Sequence, residues 1–235
     1  SGDLFTANTQ YLGRQLEELK CPEERLEIIP MPIDTDYFRP PETRNNNKPV
    51  IILSVGRLVK WKGHEYGIRA AHELLKNNIE LEYHIIGDGE ERASLSGLAH
   101  ELGIQDKVFL HGAKTQSEIL SFLKSSDIFL MTSTYDATGR RETQGIVTGE
   151  AQACGLPVVA FRSGGVPYTI VEEETGFLSA ENDYKGLANS LRVLILDEEK
   201  RSEAGVNARR FVEENFSLKV ISERWKEQYS MLLER

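Results

Sequence analysis

From Val50 onward, short β-branched runs alternate with helical patterns, and this alternation constrains the fold more than any other feature of the chain. The runs are VIILSV (50–55), LEYHII (81–86), VFLHG (108–112), IFLMT (128–132) and PVVAF (157–161). Helical periodicity fills the intervals near 64–77, 90–102, 116–125 and 145–154. Runs that stay apolar at consecutive positions belong to strands covered on both faces. Single helices between such strands impose parallel pairing with right-handed crossovers. The expected fold class is therefore α/β: a doubly wound, Rossmann-like parallel sheet. Residues 184–234 are predicted to be mostly helical, with Leu187, Leu191, Leu194 and Ile195 on one face and a final helix carrying Val220, Ile221, Trp225, Tyr229 and Leu232.

Upstream, residues 3–20 read as a short strand, LFTAN, followed by an amphipathic helix around Tyr11, Leu12, Leu16 and Leu19. The polar, turn-rich PETRNNNKP (41–49) reads as a linker, and Ser1-Gly2 as an expression remnant. With 235 residues the chain can bury a full core without disulfide or metal staples. Cys21 and Cys154 lack the spacing of a redox or zinc pair and are expected to be reduced. A net charge of -9, from 28 basic and 37 acidic residues, argues against nucleic acid as a partner. No apolar run approaches the ~20 residues of a transmembrane segment, and the first residues do not read as a basic region followed by an apolar core. The expected location is cytoplasmic.

Ligands of a doubly wound sheet bind beyond the carboxyl ends of its strands. After the first run comes GRLVKWKG, with Arg57 and Lys62 on one loop between Gly56 and Gly63. Arg grips phosphate oxygens with a planar fork, Lys acts as a point charge, and glycine lets the backbone approach a ligand. Two solvated surface cations are the plainer alternative. After the second run, IIGDGEER places Gly87 and Gly89 in a GxG turn, a weak dinucleotide signal because the third glycine position is Arg92.

The segment after the fourth run is richer. Glu142 and Glu150 stand eight apart with Gly145 between them. With a helix starting near Gly145, the pair spans about 12 Å at 1.5 Å rise per residue, a length that suits a sugar nucleotide. The N–H groups of Gln144, Gly145 and Ile146 and the positive helix end form a candidate anion site. Glu150 could accept from ribose hydroxyls and Glu142 from those of a hexose. Alternatively, Glu142 is a solvated acid at a helix start. For Glu150, among small and apolar neighbours, a partnerless carboxylate would be costly. Arg140 and Arg141 of YDATGRR are either ligand contacts or part of a mobile basic loop.

The motifs GRLVKWKG, IIGDGEER, HGAKTQSEI, Glu142-x7-Glu150, EAQACGLPVVA and SGGVP…ETGFL occur in this order over about residues 50–180. In that register the chain closely resembles the C-terminal, nucleotide-sugar-binding lobe of glycosyltransferase family 4 enzymes, which have the two-lobed GT-B fold. PMPIDTDYFRP (30–40) resembles the family's interdomain entrance. The resemblance implies that residues 1–40 are a remnant of the N-terminal acceptor lobe with that entrance, 41–49 a linker, 50–215 the donor-binding domain and 216–235 a crossover helix. It implies that Arg57 and Lys62 hold the diphosphate, Glu142 contacts the donor sugar and Glu150 the ribose. Gly112 to Lys114 would face the base through backbone atoms. The expected catalytic residues are Arg57, Lys62 and Glu142. The expected donor site adds Gly56, Gly87, Gly112, Lys114, Gln144, Gly145, Ile146 and Glu150.

The implied reaction is retaining transfer of a sugar from a nucleoside-diphosphate sugar to a hydroxyl, in polysaccharide or glycoconjugate biosynthesis, with no metal or other cofactor. The implied partners are the donor and, through the N-terminal lobe, an acceptor glycan or glycolipid. Peripheral contact with the inner face of the membrane is expected of the full-length protein, and the chain by itself is expected to be inactive. A nucleotide-sugar epimerase of the same architecture and a non-catalytic nucleotide-sugar-binding module are the alternatives. Gln144, where the family often has an aromatic residue, and Tyr168, where a carboxylate often follows GGxP, leave the donor sugar open. The face near Trp225 and Tyr229 is expected to be partly exposed.

Other candidates are weaker. Asp34-Thr35-Asp36 spells the DxD of metal-dependent transferases but lies in the entrance segment, far in sequence from the phosphate loops. The five histidines have no zinc spacing, and His64, beside Lys62-Gly63, is expected to be structural or surface-exposed rather than a phosphate ligand.

Overall fold

The computed structural model describes residues 2–43, 49–136 and 138–234, so most of the expected linker lies outside the described residues. The chain opens with a small parallel unit: β1 (Phe5–Ala7), α1 (Gln10–Glu18) and β2 (Leu26–Ile28), with Phe5 in register with Leu26. Thr9 caps α1, its side chain accepting from the amide of Leu12. β2 is not foreseen from sequence because three residues behind a turn carry no periodic signal.

The remaining strands are β3 (Val50–Val55), β4 (Leu81–Ile86), β5 (Val108–Leu110), β6 (Ile128–Met131), β7 (Val158–Phe161) and β8 (Gly176–Ser179). They form a six-stranded sheet in the order β5-β4-β3-β6-β7-β8, all neighbours parallel. The helices are α2 (His64–Lys76), α3 (Arg92–Glu101), α4 (Gln116–Ser125), α5 (Ile146–Ala153), α6 (Tyr184–Leu196), α7 (Glu198–Asn215) and α8 (Leu218–Leu233). The five expected strands and the helices between them are all present. β8 adds a sixth strand whose initial glycine and acidic approach, EEETG, hid it in the sequence. The expected strand at 108–112 stops at Leu110, and Gly112 instead bridges to Gly87.

Side-chain alternation builds two cores. Ile52, Ile128, Leu130, Val159 and Phe161 face one way, onto α2, α3 and α6. Leu53, Phe129, Met131, Val158 and Ala160 face the other, toward α4, α5 and α7. Each such large apolar side chain contributes about 1.5–3 kcal/mol on burial. The predicted helical tail divides where polar side chains cap: Asp197 starts α7 by accepting from Lys200 N, and Ser217 starts α8 by accepting from Val220 N. On α8, Ile221 is buried while Tyr229 is 60% exposed, stacked on Trp225 at 5.8 Å.

The entrance segment braces the second core. Ile33 exchanges backbone hydrogen bonds with Phe216 and Leu218 (2.7 and 3.1 Å) and packs on α5 at Gly149, where a Cβ would lie 2.9 Å from its side chain. One Arg209 nitrogen, Nη1, donates to the carbonyls of Thr35, Phe38 and Ala153 at 2.7–2.9 Å, tying α7 to the entrance segment and to the end of α5.

Candidate functional site

The strand order reverses between β3 and β6, which makes their carboxyl ends the topological switch point. The loops from these two ends carry Gly56–Lys62 and Thr132–Gly145. They are held together by hydrogen bonds to the main chain of the first loop. The amide of Thr134 donates to Trp61 O at 2.7 Å, and Thr132 Oγ1 donates to Lys62 O at 2.9 Å. Gly63 has φ 63° and sits so close to β6 that a Cβ would meet Thr132 O at 2.2 Å, so only glycine lets Lys62 take this position.

The GxG turn has a role of its own. A Cβ on Gly87 would lie 1.8 Å from Gly56 O, and one on Gly89 would lie 2.4 Å from Leu58 O. These glycines let the β4 turn pack against the β3 loop. Gly87 N also donates to Gly112 O at 2.9 Å, which joins the ends of β3, β4 and β5.

Glu142 is fixed just as closely. Gly165 N donates to Glu142 O at 2.8 Å, and a Cβ on Gly164 or Gly165 would meet Glu142 O or Thr143 O at 2.2 and 1.7 Å. The GG of SGGVP is thus the surface on which this loop rests. Asn8 and Thr9 of the N-terminal unit hold it from the other side, through Thr143 Oγ1 at 3.2 Å and Thr143 O at 2.7 Å.

The structure brings Lys62 and Glu142 into an ion pair, with only 12% and 16% of their side chains exposed. Lys62 Nζ also lies 4.6 Å from the centroid of the buried Trp61 ring. Arg57 is exposed and has no ion-pair partner among the described residues. Gly145, left-handed at φ 76°, caps α5, whose opening amides at Ile146 and Val147 have no intrahelical acceptors. Glu150, one turn further in, has no side-chain hydrogen bond or ion pair among the described residues. Burial raises its pKa above the usual carboxylate range. A half-buried acceptor of this kind is suited to neutral hydroxyl donors.

Other expected residues have different engagements. The Gln144 side chain is buried and bonds both ways to the Met31 backbone, accepting from its amide at 2.7 Å and donating to its carbonyl at 3.0 Å. Its side chain therefore holds the entrance segment, and only its main chain remains for a ligand. Lys114 pairs with Glu118 at 3.3 Å, beside the Thr115–Glu118 capping box of α4. In YDATGRR, Asp136 Oδ1 accepts from Thr138 N and Arg140 N, while Arg141 lies over the Tyr135 ring and pairs with Glu181 at 3.2 Å. Apart from Ala137, which is outside the described residues, the loop is thus tied within itself at Asp136 and to Glu181 through Arg141.

His64 is buried beneath the Gly56–Arg57 backbone, and neither ring nitrogen completes a hydrogen bond. Burial first, and Lys62 second, hold its pKa down to about 4, so it is neutral at pH 7 and adds no positive charge to the site. Asp34 accepts from the amides of Asp36 and Tyr37, which makes the DxD a turn cap. Among the described residues no cluster of His, Cys, Asp and Glu could hold a metal ion.

The sequence profile of the Glycosyl transferases group 1 family matches residues 38–211. The chain belongs to this family, glycosyltransferase family 4. It is 30% identical over 222 residues to WcaL of Escherichia coli K12, a protein named for colanic acid biosynthesis, covering 94% of this chain and 55% of that one. It therefore spans about half the length of that relative. Among solved structures, the C-terminal domain of a group 1 family glycosyl transferase from Francisella tularensis superimposes with TM-score 0.71 at 26% identity, over 79% of this chain and 99% of that domain. The Anabaena protein HepE, crystallised with UDP-glucose, has the same fold, with TM-score 0.85 at 24% identity over 98% of this chain and 64% of that one. The fold is that of the GT-B C-terminal lobe. Among the described residues no helix is long and apolar enough to cross a membrane.

Proposed function

We propose that this chain binds a nucleoside-diphosphate sugar and serves a retaining glycosyltransferase that transfers the sugar to a hydroxyl of a glycan or glycolipid, in polysaccharide or glycoconjugate biosynthesis. Residues 50–215 form the donor-binding domain. The observation that carries the reading is the meeting of Lys62 and Glu142 at the sheet's switch point, ahead of the α5 amides and the half-buried Glu150. Family membership supports it, as do the names of relatives: WcaL for a polysaccharide, HepE for its UDP-glucose complex.

In this reading the bond between the anomeric carbon and the diphosphate oxygen breaks, and its electron pair leaves with the diphosphate. Arg57, Lys62 and the α5 amides neutralise the charge that develops there, and they are already in place before it forms. The acceptor oxygen bonds to the same face of the anomeric carbon, and its proton passes to the departing phosphate oxygen. Glu150 holds the ribose hydroxyls and Glu142 those of the sugar. No metal enters these steps.

Calorimetric titration of this chain with UDP, GDP, ADP and their sugars tests the reading. One base is expected to bind, more weakly in Lys62→Ala and Glu150→Ala. Indifference to every nucleotide would overturn the assignment.

A further inference from the structure

The two groups assigned to different parts of the donor, Lys62 to the diphosphate and Glu142 to the sugar, are bonded to each other in the structure. Both side chains are largely out of water, where an ion pair is screened less than at the surface. A lysine has one charge to share, and a diphosphate brings two or more negative charges to the same nitrogen. We propose that Glu142 is a built-in competitor for the anion subsite at Lys62: the diphosphate displaces its carboxylate on binding, and the carboxylate displaces the nucleoside diphosphate after transfer. This rests on the reading of the Lys62 pocket as a diphosphate site.

The backbone makes the exchange a matter of side-chain rotation. Glu142 O is held by Gly165 N, with Gly164 packed too closely for a Cβ, and Lys62 O is held by Thr132 Oγ1. Neither main chain has to move for the ion pair to open. The carboxylate freed from Lys62 becomes available to sugar hydroxyls only when a diphosphate has taken its place. An intact donor therefore gains a contact as it breaks the ion pair, whereas the product, having lost its sugar, breaks the same pair with nothing in return. The competition thus weakens the product selectively and speeds its release.

The test is a double-mutant cycle on this chain, read by calorimetry and stopped-flow dissociation. The probe is whichever of UDP, GDP and ADP binds the unsubstituted chain. Glu142→Gln is expected to bind it about tenfold more tightly, with the gain in a slower off-rate, and Glu142→Ala to behave alike. In a Lys62→Met background the same substitutions are expected to give no gain. Unchanged or weaker binding by both Glu142 variants would overturn the proposal. So would an equal gain with Lys62 removed, because generic repulsion between carboxylate and phosphate would then account for it. If Lys62→Met binds the probe as tightly as the unsubstituted chain, or nothing binds at all, the diphosphate-site reading fails first and this proposal with it.

Discussion

Thr9 Oγ1 donates to the carbonyl of Thr143 across 134 positions of sequence, at 2.7 Å, while accepting from the amide of Leu12. One hydroxyl thus caps α1 and holds the loop that carries Glu142. Thr9→Ala loses both bonds and is expected to cost about 1–3 kcal/mol in urea unfolding. Thr9→Ser keeps the hydroxyl and is expected to stay within about 0.5 kcal/mol of the unsubstituted protein, an outcome that a purely steric role for Thr9 would not give.

His64 predicts a pH dependence. Its folded pKa of about 4 lies below the ordinary histidine value of 6.5. Between these values the unfolded chain binds the proton and the folded chain does not, so the stability present above pH 6.5 falls as the pH drops toward 4. The full loss is on the order of 3–4 kcal/mol, since each tenfold difference in proton affinity between the folded and unfolded chain is worth about 1.4 kcal/mol. Unfolding curves at pH 7.5 and pH 5 should differ less for His64→Gln than for the unsubstituted chain. Equal differences would show that other groups carry the pH dependence.

The frame of the protein was open to reading because burial on both faces leaves a mark at every position of a central strand. VIILSV and IFLMT could be little else. β2 and β8 escaped because three or four residues, one of them opening on glycine, leave no such mark. The site was legible in its residue types and less so in its contacts. Lys62, Glu142 and Glu150 stood out as charges among glycines and small residues, but the bonding of Lys62 to Glu142 depends on a β3–β6 contact absent from local sequence. Gln144 reads as a donor-site residue from its neighbours. Its side-chain amide is spent on Met31, 113 positions away, which leaves the main-chain N–H as the group that reading concerns. The packing of Gly87 against the Gly56 carbonyl, likewise, is a contact between distant loops that local sequence does not display.

The two N–H groups of Arg209 Nη1 are shared among three carbonyls. Arg209→Ala leaves all three without that donor and is expected to lower stability by about 3 kcal/mol, since each unmet buried acceptor costs about 1–3 kcal/mol and relaxation recovers part. Arg209→Lys, with a single rotatable ammonium, should fall between. Chemical denaturation of both variants measures the difference.

Gly63→Ala places a methyl group against Thr132 O in a left-handed backbone. The expected cost is about 1–3 kcal/mol in stability. Because the turn sets Lys62, nucleoside-diphosphate affinity should fall as well. A variant that unfolds more easily yet binds nucleotide at full strength would separate the turn from the site.

Arg57 is exposed and unpaired by any described carboxylate, so its proposed work lies with charge that grows during transfer. In a form of the enzyme spanning the full length of its relatives, Arg57→Ala is expected to lower kcat by about 100-fold or more while donor Kd changes less than tenfold. Steady-state kinetics beside calorimetry decides this, and equal losses in both would assign Arg57 to ground-state binding. Donor incubated without acceptor should stay unconverted; its epimerisation would mean a different enzyme.

Three main chains converge at Gly56, Gly87 and Gly112 with no side chain between Gly56 and Gly87. Gly87 leaves no room at this junction: a larger residue there would meet the Gly56 carbonyl and push the loops apart before it could meet any ligand. A search for altered ligand preference therefore has to hold Gly87 constant, because variants there should mainly return protein whose β3 and β4 loops no longer pack.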